Sequence, residues 1–131
     1  MKILVTGHLG YVGTVMVPIL RAAGHDVTGY DCDLYQRCTY DPGGTIADTP
    51  LIAKDTRDAV RADLVGYDAI IHLAALSNDP LSNIDPDLTY SINQRAGLSL
   101  AMAAKEAGVA FKVLDENAET TSGHFSMAPC I

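Results

Sequence analysis

Three glycines, Gly7, Gly10 and Gly13, follow a short apolar run at intervals of three residues. Placed between a strand and a helix, that spacing turns backbone N–H groups and a helix N-terminus toward one point, where a pyrophosphate is held. Glycine is required because a Cβ would block approach of the phosphate, or of the helix to the sheet. Asp31 lies 18 residues beyond Gly13, at the end of the next β-like run. A carboxylate there accepts hydrogen bonds from both hydroxyls of an adenosine ribose and repels a 2′-phosphate, so NAD is favoured over NADP. The other reactive side chains make no constellation. Cys32, Cys38 and Cys130 lack Cys-x-x-Cys spacing and read as free thiols, and no metal site is expected. His72 sits in an apolar run and reads as a core histidine, and His8 as a turn residue.

The glycines need elements around them, and the pattern supplies these. Lys2 to Thr6 is an apolar, β-branched run, the first strand. A helix follows, with Val12, Val15, Met16, Ile19, Leu20 and Ala23 on the expected buried face, a kink expected at Pro18, and Gly24 closing it. Asp26 to Asp31 is the second strand, and Cys32 to Pro50 reads as a long loop with one helical turn. Leu51 to Asp55 is the third strand, Ala59 to Val65 a short helix, and Asp68 to Ala75 a buried fourth strand. Asp85 caps a long helix that starts at Pro86, with Leu88, Ile92, Ala96, Leu100, Ala103, Ala104 and Ala107 on one stripe. Gly108 ends it, and Val109 to Leu114 is the fifth strand. This alternation predicts a doubly wound, Rossmann-like parallel α/β sheet of about five strands. Right-handed crossovers give the spatial order third, second, first, fourth, fifth. Residues 1–114 form the expected cofactor-binding domain, and 115–131 read as an irregular tail.

The chain has 131 residues, one domain's worth, with 48% hydrophobic and 19% charged residues, which excludes global disorder. A net charge of −7 argues against nucleic acid or an anionic membrane as partner. There is no apolar run of transmembrane length, and Met1 to Thr6 is too short for a signal peptide, so a cytoplasmic protein is expected.

Thr6-Gly7-His8-Leu9-Gly10-Tyr11-Val12-Gly13 resembles the dinucleotide turn of the extended short-chain dehydrogenase/reductases, the NAD-dependent nucleotide-sugar epimerases and dehydratases. Three further segments carry the resemblance. Asp55-Thr56-Arg57-Asp58 is similar to the family's segment after the third strand, whose first two residues meet the adenine; Thr56 stands where Ile or Val is usual. His72-Leu73-Ala74-Ala75-Leu76-Ser77 is similar to the segment that lines the middle of the cofactor and the nicotinamide ribose. Tyr90-Ser91-Ile92-Asn93 resembles the helix whose Asn supports the cofactor end of the site. The resemblance runs from Met1 to about Ala110. It implies that NAD is held by Gly7, Gly10, Tyr11, Val12, Gly13, Asp31, Asp55, Thr56, Leu73, Ala74, Ala75, Ser77 and Asn93.

The family's chemistry needs a tyrosine with a lysine four positions later on one helix, so that the ammonium lowers the phenol pKa. None of the six tyrosines, Tyr11, Tyr30, Tyr35, Tyr40, Tyr67 and Tyr90, has lysine at that spacing. No catalytic residue is assigned; Thr120, Thr121 and Ser122 come later than the family's serine and are only loose substitutes for it. Leu114 to Glu119 is similar to a stretch that the family carries between its serine and its tyrosine, which suggests a deletion near Ala110 to Lys112 in a truncated relative. The expected function is the NAD-binding portion of a nucleotide-sugar epimerase or dehydratase, inactive alone, its sugar substrate belonging to the intact relative. The alternative is a non-catalytic NAD-binding or regulatory module. An open edge at the fifth strand invites self-association.

Overall fold

A computed structural model describes residues 1–36, 38–76 and 85–113. Five parallel strands make one sheet: β1 (Lys2–Thr6), β2 (Asp26–Asp31), β3 (Leu51–Ala53), β4 (Ala69–His72) and β5 (Ala110–Val113). Their order is β3-β2-β1-β4-β5, as the crossover rule predicts. The central strand pairs Lys2 to Thr6 with Asp26 to Tyr30 on one side, and Ile3 to Thr6 with Ala69 to His72 on the other. This register brings the carboxyl ends of β1, β2 and β4 level, where open α/β sheets bind ligands.

Alternation along β1 divides the core. Ile3 and Val5 face α1 (Tyr11–Ala22) and pack with Val17, Val27 and Ile46. Leu4 faces the opposite layer and packs with Tyr30, Leu64, Ile70, Leu100 and Ala104. That layer holds α2 (Arg61–Leu64) and α3, residues 86–107. Both faces of the sheet are therefore covered, as a doubly wound fold requires.

The face of α1 differs from expectation. Gly13, Thr14 and Val17 are its buried positions, whereas Val15 and Ile19 are exposed. Close approach to the glycine turn selects small residues over large apolar ones. The helix runs through Pro18, which sits where its missing N–H costs one intrahelical bond. The loop between β2 and β3 is a series of turns. Asp41 accepts hydrogen bonds from the N–H groups of Ile46 and Ala47, and Arg21 donates from α1 to the Thr45 carbonyl and the Thr49 hydroxyl. This seats Ile46 in the core.

Asp85 caps α3 by accepting from the Leu88 N–H at 2.9 Å, with Pro86 in the first helical position. The helix is α-helical over Pro86–Tyr90 and Gly97–Ala107 but π-helical over Ser91–Ala96, which the apolar stripe does not reveal. Ala96, Leu100 and Ala104 are buried as expected, while Leu88 is exposed. Gly108 ends the helix in the left-handed conformation, φ +71°, and its N–H returns to the Lys105 carbonyl. The tail 115–131, with Thr120, Thr121, Ser122, His124 and Cys130, lies outside the described residues.

Candidate functional site

The ends of β1, β2, β3 and β4 enclose a cavity of about 380 Å³. Gly7, Gly10, Tyr11, Asp31, Asp55, Thr56, Leu73, Ala74 and Ala75 all line it. Val12 and Gly13 lie just behind, in the first turn of α1, and Asn93 also lies outside the wall. Ser77 lies outside the described residues.

The three glycines do three different jobs. Gly7 turns the chain at φ +72°, and a Cβ there would stand 2.7 Å from the Ala74 nitrogen. The turn therefore lies directly on the segment leaving β4. A Cβ on Gly13 would stand 2.5 Å from the Gly7 carbonyl oxygen and the His8 backbone, so Gly13 lets α1 settle on the turn. Gly10 is different: the neighbour a Cβ would meet there is the Gly7 carbonyl oxygen at 3.2 Å, and beyond lies the cavity. Gly10 is also the N-cap of α1, which has no side-chain cap and no acid in its first turn. The first-turn N–H groups, those of Tyr11 and Val12 included, have no intrahelical acceptor. A cradle without a Cβ, under an uncapped helix start, fits a pyrophosphate.

Asp31 ends β2 at the cavity. Its Oδ2 accepts from the Leu9 N–H at 3.1 Å and its Oδ1 from the Asp33 N–H at 2.9 Å. About four acceptor sites belong to a carboxylate. Two are taken by these backbone donors, and the group lines the cavity with the remainder. Asp55 is engaged otherwise: it accepts from the Arg57 N–H and makes a two-pronged ion pair with the guanidinium, 2.7 Å and 3.0 Å. The Arg57 hydrogen bond holds the Asp55 carboxyl below the usual range. Thr56 is buried. Burial pushes the Asp63 carboxyl up, but hydrogen bonds from Lys54 and the Val60 N–H outweigh it and leave the group below its ordinary value.

Two buried histidines flank the end of β1. His72 Nδ1 lies 2.6 Å from the Thr6 hydroxyl, whose oxygen also accepts from the Ala74 N–H at 3.4 Å. The ring stacks on Phe111, and Gly97 of α3 leaves it room. Burial pushes the His72 pKa down to about 4, so the ring is neutral and structural. His8 is 1% exposed, its Nδ1 has no hydrogen-bond partner among the described residues, and Asp31 Oδ2 stands 3.9 Å away. Burial lowers its pKa, while Asp31 and Asp33 pull it the other way.

Asn93 uses its side-chain amide on Leu76. Its oxygen accepts from the Leu76 N–H at 2.8 Å and its nitrogen donates to the Leu76 carbonyl at 3.0 Å. It thus braces the segment after β4 from α3. The sequence reading missed Leu34, Tyr35, Leu88 and Ile92, which add apolar wall, and Tyr30, whose buried ring reaches the cavity and whose hydroxyl donates to the Asp55 carbonyl. The aromatic and aliphatic residues in the loop after Asp31 were the available signal. No cluster of three or more His, Cys, Asp or Glu able to hold a metal occurs among the described residues. No helix among them is long and apolar enough to cross a membrane.

The chain is similar to known proteins in sequence and in fold. The model of the NAD dependent epimerase/dehydratase family matches residues 3–119. A UDP-glucose 4-epimerase of Corynebacterium glutamicum is 35% identical over 122 residues, covering 92% of this chain and 36% of that relative. One from Lactobacillus helveticus is 36% identical over 127 residues, with the same coverage. The chain spans about a third of the length of the curated relatives it matches. The Thermus thermophilus UDP-glucose 4-epimerase, solved in complex with NAD, superposes with a TM-score of 0.70 at 30% identity, over 83% of this chain and 35% of that one. A dTDP-glucose 4,6-dehydratase from Streptomyces venezuelae, solved with NAD bound, gives 0.72 at 28% identity, over 86% and 38%.

Proposed function

Because this chain belongs to the NAD dependent epimerase/dehydratase family, we propose that it holds NAD across the carboxyl end of its sheet. In that role it supplies the cofactor half of a nucleotide-sugar epimerase or dehydratase. The observation that carries this reading is one cavity that joins the side-chain-free cradle at Gly10 to the carboxylate of Asp31. In this reading the turn and the first-turn N–H groups of Tyr11 and Val12 take the pyrophosphate, and Gly13 seats the helix that presents them. Asp31 accepts the adenosine ribose hydroxyls, which disfavours a 2′-phosphate. Asp55 and Thr56 border the adenine. Leu73, Ala74 and Ala75 form the wall toward the nicotinamide ribose, steadied by Asn93 through Leu76, and the family resemblance adds Ser77 to the residues that meet it. Bound NAD would supply a hydride acceptor for a sugar carbon.

No tyrosine here has its lysine four residues on, so this chain lacks the family's proton-transfer pair and turns over no sugar by itself. The nucleotide sugar belongs to the whole enzyme. That absence also supports a second reading, a non-catalytic module that binds NAD and docks on a partner. The acid-rich composition and the three cysteines without Cys-x-x-Cys spacing support a cytoplasmic location. Among the described residues β5 pairs on one side with β4 and forms an edge of the sheet, which supports self-association there.

The deciding experiment is calorimetric titration of the 131-residue chain with NAD and NADP. Saturable binding of NAD, at least tenfold tighter than NADP, is expected. No binding of either would refute the reading. A partner co-purifying in equal amount would favour the module.

A further inference from the structure

His8 occupies the first variable position of the glycine turn, yet its side chain points inward. The imidazole lies so close on Gly29 of β2 that any Cβ at that residue would overlap the ring. The ring is 1% exposed, and its Nδ1 has no hydrogen-bond partner among the described residues. A buried polar atom left in that state keeps the cost of its lost hydration without compensation. Native structures keep few such atoms, and each one calls for an explanation. The group that faces this nitrogen is Asp31, with Oδ2 3.9 Å away, beyond hydrogen-bond range by about 0.7 Å. Asp31 is the residue assigned to the ribose, and its other anchors are backbone: the Leu9 N–H from the turn and the Asp33 N–H from the loop. An adjacent carboxylate favours the tautomer that carries its proton on Nδ1.

We propose that His8 is a positioning residue for Asp31. When a ribose bearing a free 2′-hydroxyl loads the carboxylate, the Nδ1–H closes on Oδ2, and the cost carried by the free protein is released only in that complex. The proposal rests on the dinucleotide reading and deepens it. It assigns part of the selectivity for a 2′-hydroxyl to a side chain that lines no part of the cavity. A 2′-phosphate cannot donate to Asp31 and would repel it, so the closure would not form and the discrimination would grow. Gly29 belongs to the same device, because a side chain there would expel the ring.

Titration of the full chain with ADP and with 2′-deoxy-ADP tests this, using His8→Asn and His8→Gln. The Asn amide nitrogen falls where Nδ1 stands, and the Gln amide falls near Nε2, so two variants of similar polarity separate the roles of the two positions. The wild type is expected to prefer ADP. His8→Asn should keep that preference, and His8→Gln should lose about tenfold of it, with 2′-deoxy-ADP binding alike in all three. A preference unchanged in His8→Gln would overturn the proposal, as would an equal loss in both variants, which would mark His8 as merely structural. If His8→Gln fails to fold, His8→Leu takes its place with the same expected loss, and an unchanged preference there would equally overturn the proposal. A wild type that binds neither ADP nor NAD would overturn the dinucleotide reading itself, and the proposal with it.

Discussion

At the end of β1, the flank toward β4 is closed by hydrogen bonds, whereas the flank toward β2 keeps a buried nitrogen that has no partner among the described residues. On the β4 side Thr6, His72 and the Ala74 N–H satisfy one another under Phe111 and Gly97. On the β2 side His8 faces a carboxylate it does not reach, and that carboxylate lines the cavity. The two flanks share a strand, a register and nearly the same burial. What separates them is completeness. A satisfied polar cluster holds the fold in one arrangement, and an unsatisfied one leaves free energy for a ligand to release.

The largest expected effect lies at the joint between the flanks. Gly7→Ala combines a left-handed backbone with a Cβ 2.7 Å from Ala74, and should cost about 4 kcal/mol of stability in a urea titration. A cost under 1 kcal/mol would mean that the turn does not bear on the β4 segment.

Acid should strike the β4 flank next. The folded pKa of His72 lies near 4, below the ordinary 6.5, so the unfolded chain takes up the proton first as pH falls. Stability from this group is complete above pH 6.5 and drains away toward pH 4, by up to about 3 kcal/mol. His72→Gln should flatten that slope in denaturation curves at pH 7 and 4.5, leaving the share of His8, which acts in the same direction. A slope that persists undiminished would erase the distinction between the two histidines.

On the β2 flank, Asp31→Ala should weaken NAD binding by about 2 kcal/mol, some thirtyfold, as read by calorimetry. It should leave the acid slope of His72 intact. The smallest effect belongs to the rim. The Asp55–Arg57 pair is partly exposed, and Arg57→Ala should change thermal stability by about 0.5 kcal/mol or less. A larger loss would show that Asp55 carries structural weight.

Much of this is legible in the sequence alone. The five strands, their order, the glycine turn and the Asp85 cap announce themselves because each rests on local pattern or a crossover rule. The buried face of α1 is the part that periodicity misplaces, because apolar size favours Val15 and Ile19, while the packed surface takes Gly13, Thr14 and Val17. The Thr6–His72 pair joins residues 66 apart, and no periodicity marks it. His8 reads as a turn residue because nothing in a linear spacing tells whether a ring beside a glycine points out or in.

Ser91–Ala96 lets a residue serve as a spacer even where its side chain is dispensable. Gln94 is exposed on α3, and its replacement by another helix-forming residue should pass unnoticed. Its removal is another matter. The wide π turn absorbs one residue that an α-helix could not, and without it the helix would rewind. One half would then rotate against the other by about 100°. Either Asn93 would swing away from Leu76 or Leu100 and Ala104 would leave the sheet. The angular phase between brace and core is thus set by a count of residues, and an exposed position such as Gln94 tolerates exchange but not removal.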